Sequence, residues 1–375
     1  MRKHWLDNLR WGTVLSVLLF HCVMMYNGVG VFGGLEPFSD GVQYQDIILY
    51  ILYPFFMPLL FVVAGISSRY YLENHNTHEF ISSRTLKLLV PSTIGLFVFQ
   101  WITGYLNTRI AEVAQRTEII SNIPGPARYF AYVMSGTGPL WFIQVLWLLS
   151  LILALIRRTD KGDRLYVACG KHWPILTAVF GILMYLTSQT LVKDLSTNPF
   201  GGLINLYKPQ FYIVPFLLGY LVLSHDKAVE KLKSAALPLA GIALVLGITL
   251  ICTTFGQDPT SPQYLGSILA NAYAYFMILG LVALSAKYLD RTSRFADYMT
   301  KSSFGIYVVH YTIVAGLGFV LKMHTSLPAA AVYALLIVGT FILSPALYEL
   351  LSRIPVLRWC VFGIKKQKDG NRISQ

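Results

Sequence analysis

Apolar runs long enough to cross a bilayer constrain this chain more than any motif in it. A helix rises about 1.5 Å per residue, so a hydrocarbon core about 30 Å thick calls for about twenty predominantly apolar residues. Reading for that length gives ten candidates, over residues 9–29, 46–66, 87–106, 139–156, 173–191, 208–224, 235–255, 264–286, 303–321 and 328–350. The sixth is the weakest, because Tyr207-Lys208-Pro209 cuts into its start. Within hydrocarbon every backbone N–H and C=O needs a partner, and a helix supplies all of them internally. The expected fold is all-α: a polytopic integral membrane protein with about ten transmembrane helices.

Charge sets the orientation. The formal net charge is +12, a value that in a soluble chain would suggest nucleic acid. Here its location argues otherwise. With the N-terminus inside, the cytoplasmic segments hold 24 of the 30 Lys and Arg residues and the outer segments hold 6. Both termini are then cytoplasmic, as the positive-inside rule requires. The inner set includes Arg157, Arg158, Lys161, Arg164 and Lys171 after the fourth span, and Lys287, Arg291, Arg294 and Lys301 after the eighth. No basic patch is interleaved with aromatics on a soluble element, so the expected partner is the lipid bilayer and not nucleic acid.

The first run is too long for a secretory h-region and is expected to remain as a helix. Cys22, Cys169, Cys252 and Cys360 are scattered without a C-x-x-C pair, so neither a zinc site nor a disulfide framework is expected. His75 and His78 have a metal-like spacing but sit in a polar loop, and no metal is expected there. Organisation is simple: a membrane domain over 1–355 and a basic, disordered cytoplasmic tail over 356–375. The longest connection runs from Leu106 to Gly138 and carries Pro124-Gly125-Pro126, turn chemistry suited either to an outer lid or acceptor groove or to a plain connection.

Ionisable groups inside a bilayer are costly and therefore functional candidates. Arg10 and His21 lie eleven positions apart on the first run, which on a helix is roughly 16 Å of rise and roughly 20° of rotation. An arginine at the inner edge and an imidazole near mid-depth share one face. A neutral imidazole there either moves a proton or serves as an interhelical hydrogen-bonding group. Asp7, one turn before Arg10, is placed to pair with it. A second intramembrane histidine, His310, enters on the ninth span. At the inner end of the third span Arg84 and Lys87 are helical neighbours, able to pair with phosphate or to mark the membrane boundary. Arg69 is a similar case. Trp141 and Gln144 open the fourth span, the first at the outer interface and the second facing the bundle.

These pieces, in order, resemble the acyltransferase 3 family of integral membrane acyltransferases. The matching segments are Leu6-Asp7-Asn8-Leu9-Arg10 with His21, Phe55 through Phe61 leading to Ala64-Gly65, Arg84 through Pro91, Pro139-Leu140-Trp141-Phe142, and Phe304-Gly305-Ile306-Tyr307 through His310. The resemblance implies transfer of an acetyl or succinyl group from cytoplasmic acyl-CoA to a hydroxyl of an extracytoplasmic acceptor such as an envelope glycan. It implies a cell (inner or plasma) membrane location and no permanently bound cofactor, acyl-CoA being a substrate. It casts His21 and Arg10 as catalytic, Arg84, Lys87 and Arg69 as acyl-CoA-binding, and Asp7, His310, Trp141 and Gln144 as supporting. Lys87 stands where the family tends to carry a second arginine, and lysine lacks the planar fork that binds phosphate bidentately. Two competing classes are a glycan or lipid transporter or flippase, in which the same polar residues line a path without covalent chemistry, and a non-catalytic scaffold subunit in which His21 and His310 only hydrogen-bond between helices.

Overall fold

A computed structural model describes residues 3–39, 41, 43–115, 123–160, 162–192, 204 and 207–365. Among them there is no strand. The chain is a helical bundle: α1 His4–Met24, α2 Ile47–Asn74, α3 Thr77–Arg84, α4 Trp101–Gln115, α5 Gly125–Ser135, α6 Trp141–Thr159, α7 Arg164–Lys171 and α8 Trp173–Val192 form its first half. The second half comprises α9 Pro209–Leu221, α10 Asp226–Ser234, α11 Ala236–Thr254, α12 Pro262–Leu265, α13 Ile268–Tyr288, α14 Arg294–His324, α15 Ala329–Arg353 and α16 Pro355–Phe362. Side-chain caps mark several starts: Ser267 accepts from Ala270 N, Ser293 from Ala296 N, and Asn76 and Glu79 form a reciprocal capping box.

Among the described residues seven helices are long and apolar enough to cross a membrane: 44–74, 138–159, 173–192, 236–254, 268–288, 294–324 and 329–353. The other three expected spans depart from that form, each for a visible reason. α1 has the length but carries His4, Asp7, Asn8 and Arg10 in its first two turns. The sixth is a helix of 13 residues, started by Pro209 after a left-handed Lys208. The third is broken. Pro91 has no N–H to donate and its ring crowds the preceding turn, which kinks or breaks a helix at that point. Instead the chain widens into a π turn at Thr85–Leu89, bends over 90–93, and forms a second π turn at Leu96–Gln100 before α4. Neighbouring side chains reach the carbonyls near the break: Gln144 Nε2 donates to Ser92 O at 3.1 Å and Tyr129 Oη to Phe97 O.

Small residues let the central helices touch. A Cβ at Gly65 of α2 would overlap Phe216 O of α9, and one at Gly219 of α9 would overlap Val62 O of α2. Close approach of this kind is how helices associate where the surrounding lipid removes the hydrophobic incentive. α1 packs against α2, α13, α14 and α15 and so runs through the middle of the bundle.

Two segments carry more helix than their composition suggests. Between Leu106 and Gly138, α4 and α5 occupy most of the described residues, held together where Gly104 and Gly136 allow backbone contact. The tail expected to be disordered from 356 begins as helix α16, with Cys360, Val361 and Phe362 buried. Three apolar side chains within four residues give it a face to bury, which the basic residues after it had obscured. The rest of the tail, from Lys366, lies outside the described residues.

Candidate functional site

The centre of the bundle brings together the two histidines that the sequence places on separate helices. His21 sits near the end of α1 and His310 midway along α14; His310 Nε2 is 3.2 Å from His21 Nδ1, and the rings are 5.0 Å apart. Partners fix their tautomers. A carbonyl only accepts, so the 2.6 Å contact between His310 Nδ1 and Tyr307 O places a proton on Nδ1 and leaves Nε2 as an acceptor. His21 Nδ1 faces two acceptors, Val17 O at 2.8 Å and His310 Nε2 at 3.2 Å, and a single N–H donates to both. The consequence is specific: the neutral His21 carries its lone pair on Nε2, the nitrogen turned away from the pair.

The pair is supported from behind. Tyr307, whose carbonyl orients His310, donates its own hydroxyl to Pro139 O and packs its ring against Phe142. Two segments that the sequence offers as separate motifs thus form one buttress. Gln100 Nε2 donates to Val308 O at 2.8 Å, and Thr103 links Gln100 to Thr312. Around His21 the walls are aromatic: Phe20 and Tyr311 meet it edge-on, and Phe20 stacks on Tyr53 and Phe56.

At the end of the bundle where α1 starts, three cations converge. Arg10 pairs with Asp7 at 2.7 Å, as the one-turn spacing predicts. Arg84 donates to Ser68 Oγ at 3.0 Å and lies over the Phe80 ring at 5.1 Å. Arg10, Arg84 and Lys87 are close enough for their charges to act on one another. Among the described residues neither Arg84 nor Lys87 has a carboxylate within ion-pair distance, so the cluster carries excess positive charge. Lys87 sits in the π turn, with its side chain exposed.

Arg69 is placed elsewhere. Its guanidinium reaches Asp163 at 3.0 Å and Glu73 at 3.4 Å and covers the Tyr166 ring at 3.6 Å. Asp163, in a left-handed conformation at φ 54°, also receives Arg157 at 3.0 Å. This arginine clamps the turn before α7 onto α2. Trp141 is half-buried, its ring 5.2 Å from the Tyr212 ring, which stacks on Phe61. Gln144 faces the bundle and holds the broken third span at Ser92.

Sequence reading missed Ser68, Gln100 and Thr103. Each is a small or amide side chain in an apolar run, and polar residues of that kind in lipid generally find a partner inside the protein. Among the described residues no group of three or more His, Cys, Asp or Glu side chains is arranged to hold a metal ion.

Several membrane-length helices around a buried polar centre define the class: a multi-pass membrane protein. A sequence profile described as an acyltransferase domain matches residues 3–349. The chain belongs to the acyltransferase 3 family and is a membrane acyltransferase. No curated protein and no solved structure matches it.

Proposed function

We propose that this protein transfers an acetyl or succinyl group from acyl-CoA on the cytoplasmic side to a hydroxyl of an envelope glycan on the other side of an inner or plasma membrane. The observation that carries the reading is the His21–His310 hydrogen bond, which with the Val17 O contact puts the lone pair of neutral His21 on Nε2. The excess of cations at one end of the same helix supports acyl-CoA as donor. Its phosphates would lie among Arg84, Lys87 and Arg10, while Arg69 holds the α7 turn. About 16 Å of helix rise separates Arg10 from His21, a span for the pantetheine arm to cover.

The chemistry then follows from the tautomers. His21 Nε2 takes the proton of the acceptor hydroxyl as its oxygen attacks the thioester carbonyl carbon. The tetrahedral adduct collapses by breaking the C–S bond, and the departing CoA sulfur recovers the proton from His21. During the interval when His21 is doubly protonated, its Nδ1–H remains on Val17 O and on His310 Nε2, so charge develops against an acceptor already in place. His310 is therefore a positioning residue. Replacing it with alanine is expected to lower kcat by about ten- to a hundredfold while leaving the KM for acyl-CoA near wild type. His310→Gln, whose amide oxygen can accept from His21, should recover part of the loss. A uniform fall in both variants with reduced yield of folded protein would assign His310 to packing alone.

The direct test supplies isotope-labelled acetyl-CoA and succinyl-CoA to membranes containing the protein and follows label into the glycan fraction. Label should move from one of the two donors. If folded protein leaves the label on CoA while a glycan or lipid crosses the membrane unchanged, transport replaces transfer.

A further inference from the structure

The C-terminal helix closes against the broken third span at the point where that span carries Lys87. α16 ends in a left-handed cap: Gly363 N donates to Trp359 O at 2.9 Å, the bond of the αL motif, and Ile364 N to Arg358 O at 3.3 Å, with Gly363 left-handed at φ 64°. The conformation alone favours glycine, but the surroundings require it as well. A Cβ at Gly363 would overlap the Leu86 carbonyl oxygen and would stand 2.9 Å from Lys87 Cα. A second close approach lies one turn along: a Cβ at Gly95 would stand 2.9 Å from Cys360 O. The helix is held from its other side by Phe362, fully buried and edge-on to Tyr348 at 5.1 Å. So α16 occupies the notch that Pro91 and the two π turns open, and its backbone rests on the backbone of the turn bearing Lys87.

A π turn is wider and less tightly hydrogen-bonded than an α turn, and without a backing it has no fixed place to hold a charge. We propose that α16, through Gly363, positions the Lys87–Arg84 edge of the donor site, so that the C-terminal segment sets affinity for the phosphates of acyl-CoA. The inference rests on the acyl-CoA reading above. It makes Gly363 a positioning residue that contacts no substrate, acting through the main chain of Leu86 and Lys87.

The test separates phosphate binding from everything else by using two donors, acetyl-CoA and acetyl-pantetheine, which presents the same thioester without phosphates. Full-length protein carrying Gly363→Ala or Gly363→Asn is compared with wild type; asparagine tolerates the left-handed conformation, so it isolates the overlap from the backbone preference. The expected result is a KM for acetyl-CoA raised a few-fold, no more than the loss of Lys87 itself costs, with kcat and the rates with acetyl-pantetheine held near wild type. The effect should vanish in a Lys87→Ala background, since a change that acts through Lys87 has nothing left to move. If the Gly363 variants do not reach the membrane, Gly95→Ala carries the same comparison with a milder overlap. Parallel losses with both donors, or an undiminished effect without Lys87, would overturn the proposal and leave α16 as packing. Failure of the wild type to use either donor would instead remove the acyl-CoA reading itself.

Discussion

His21→Ala is expected to reduce acyl transfer by a factor of about 10² to 10⁴, the range a positioned general base supplies. The magnitude follows from geometry. His310 Nε2 is an acceptor for His21 Nδ1–H, so it has no free basic nitrogen turned towards a substrate while the pair is intact. When His21 is removed, His310 remains tied to Tyr307 O on its own helix and does not take over the position that His21 Nε2 held. His21→Asn gives the informative companion, because an asparagine amide donates to His310 but takes no proton from an alcohol. Both variants should lose transfer to a similar degree, and the asparagine variant should keep more of the wild-type thermal stability. The measurement is the initial rate of label transfer per folded protein, with folding judged by size-exclusion profile and melting temperature. Near-wild-type transfer by His21→Ala would end the general-base mechanism.

The histidine pair also shows how far sequence carries such an argument. Periodicity places Arg10 and His21 on one face of α1, and the Asp7–Arg10 pair follows from one-turn spacing. Whether α1 meets α14 is a question of topology in three dimensions, and nothing local to either run answers it. The third run reads in sequence as one span through Pro91, and the break is not read there, because the groups that meet it come from distant positions: Gln144 at Ser92 O, Tyr129 at Phe97 O, and α16 packed against Leu86 and Gly95. Arg69 shows the same limit from another side. By spacing it is one more cation near the inner boundary, yet Asp163, Glu73 and Tyr166 converge on it from sites as far as 97 positions away. In an all-helical membrane bundle, then, the sequence reports which residues are too polar for their surroundings, and the tertiary contacts decide which of them remain available for chemistry.

Availability is what distinguishes the cations at the α1 end, and it sets the second large effect. Arg84 is expected to contribute most to acyl-CoA binding: a charge-assisted hydrogen bond is worth about 1.5–3 kcal/mol, so Arg84→Ala should weaken binding by about ten- to a hundredfold. Lys87 is exposed, and water and salt screen its charge, so Lys87→Ala alone should cost only a few-fold. The two sit three positions apart and would share the same phosphates, so the double variant should depart from additivity. Arg84→Lys restores the charge without the planar fork and should recover only part of the loss. Ionic strength offers an independent reading, since screening lengths of about 8–10 Å at physiological salt reach Lys87 more than the half-buried Arg84. Calorimetry of acetyl-CoA and succinyl-CoA with nanodisc-embedded protein at low and moderate salt measures all of these together. Removing Arg69, by contrast, should loosen the α7 turn and lower stability without a selective effect on CoA, because its partners are carboxylates and a tyrosine ring already in place. If Arg69→Ala weakened CoA binding as strongly as Arg84→Ala with no loss of stability, the donor site would have to be moved to the Asp163 clamp.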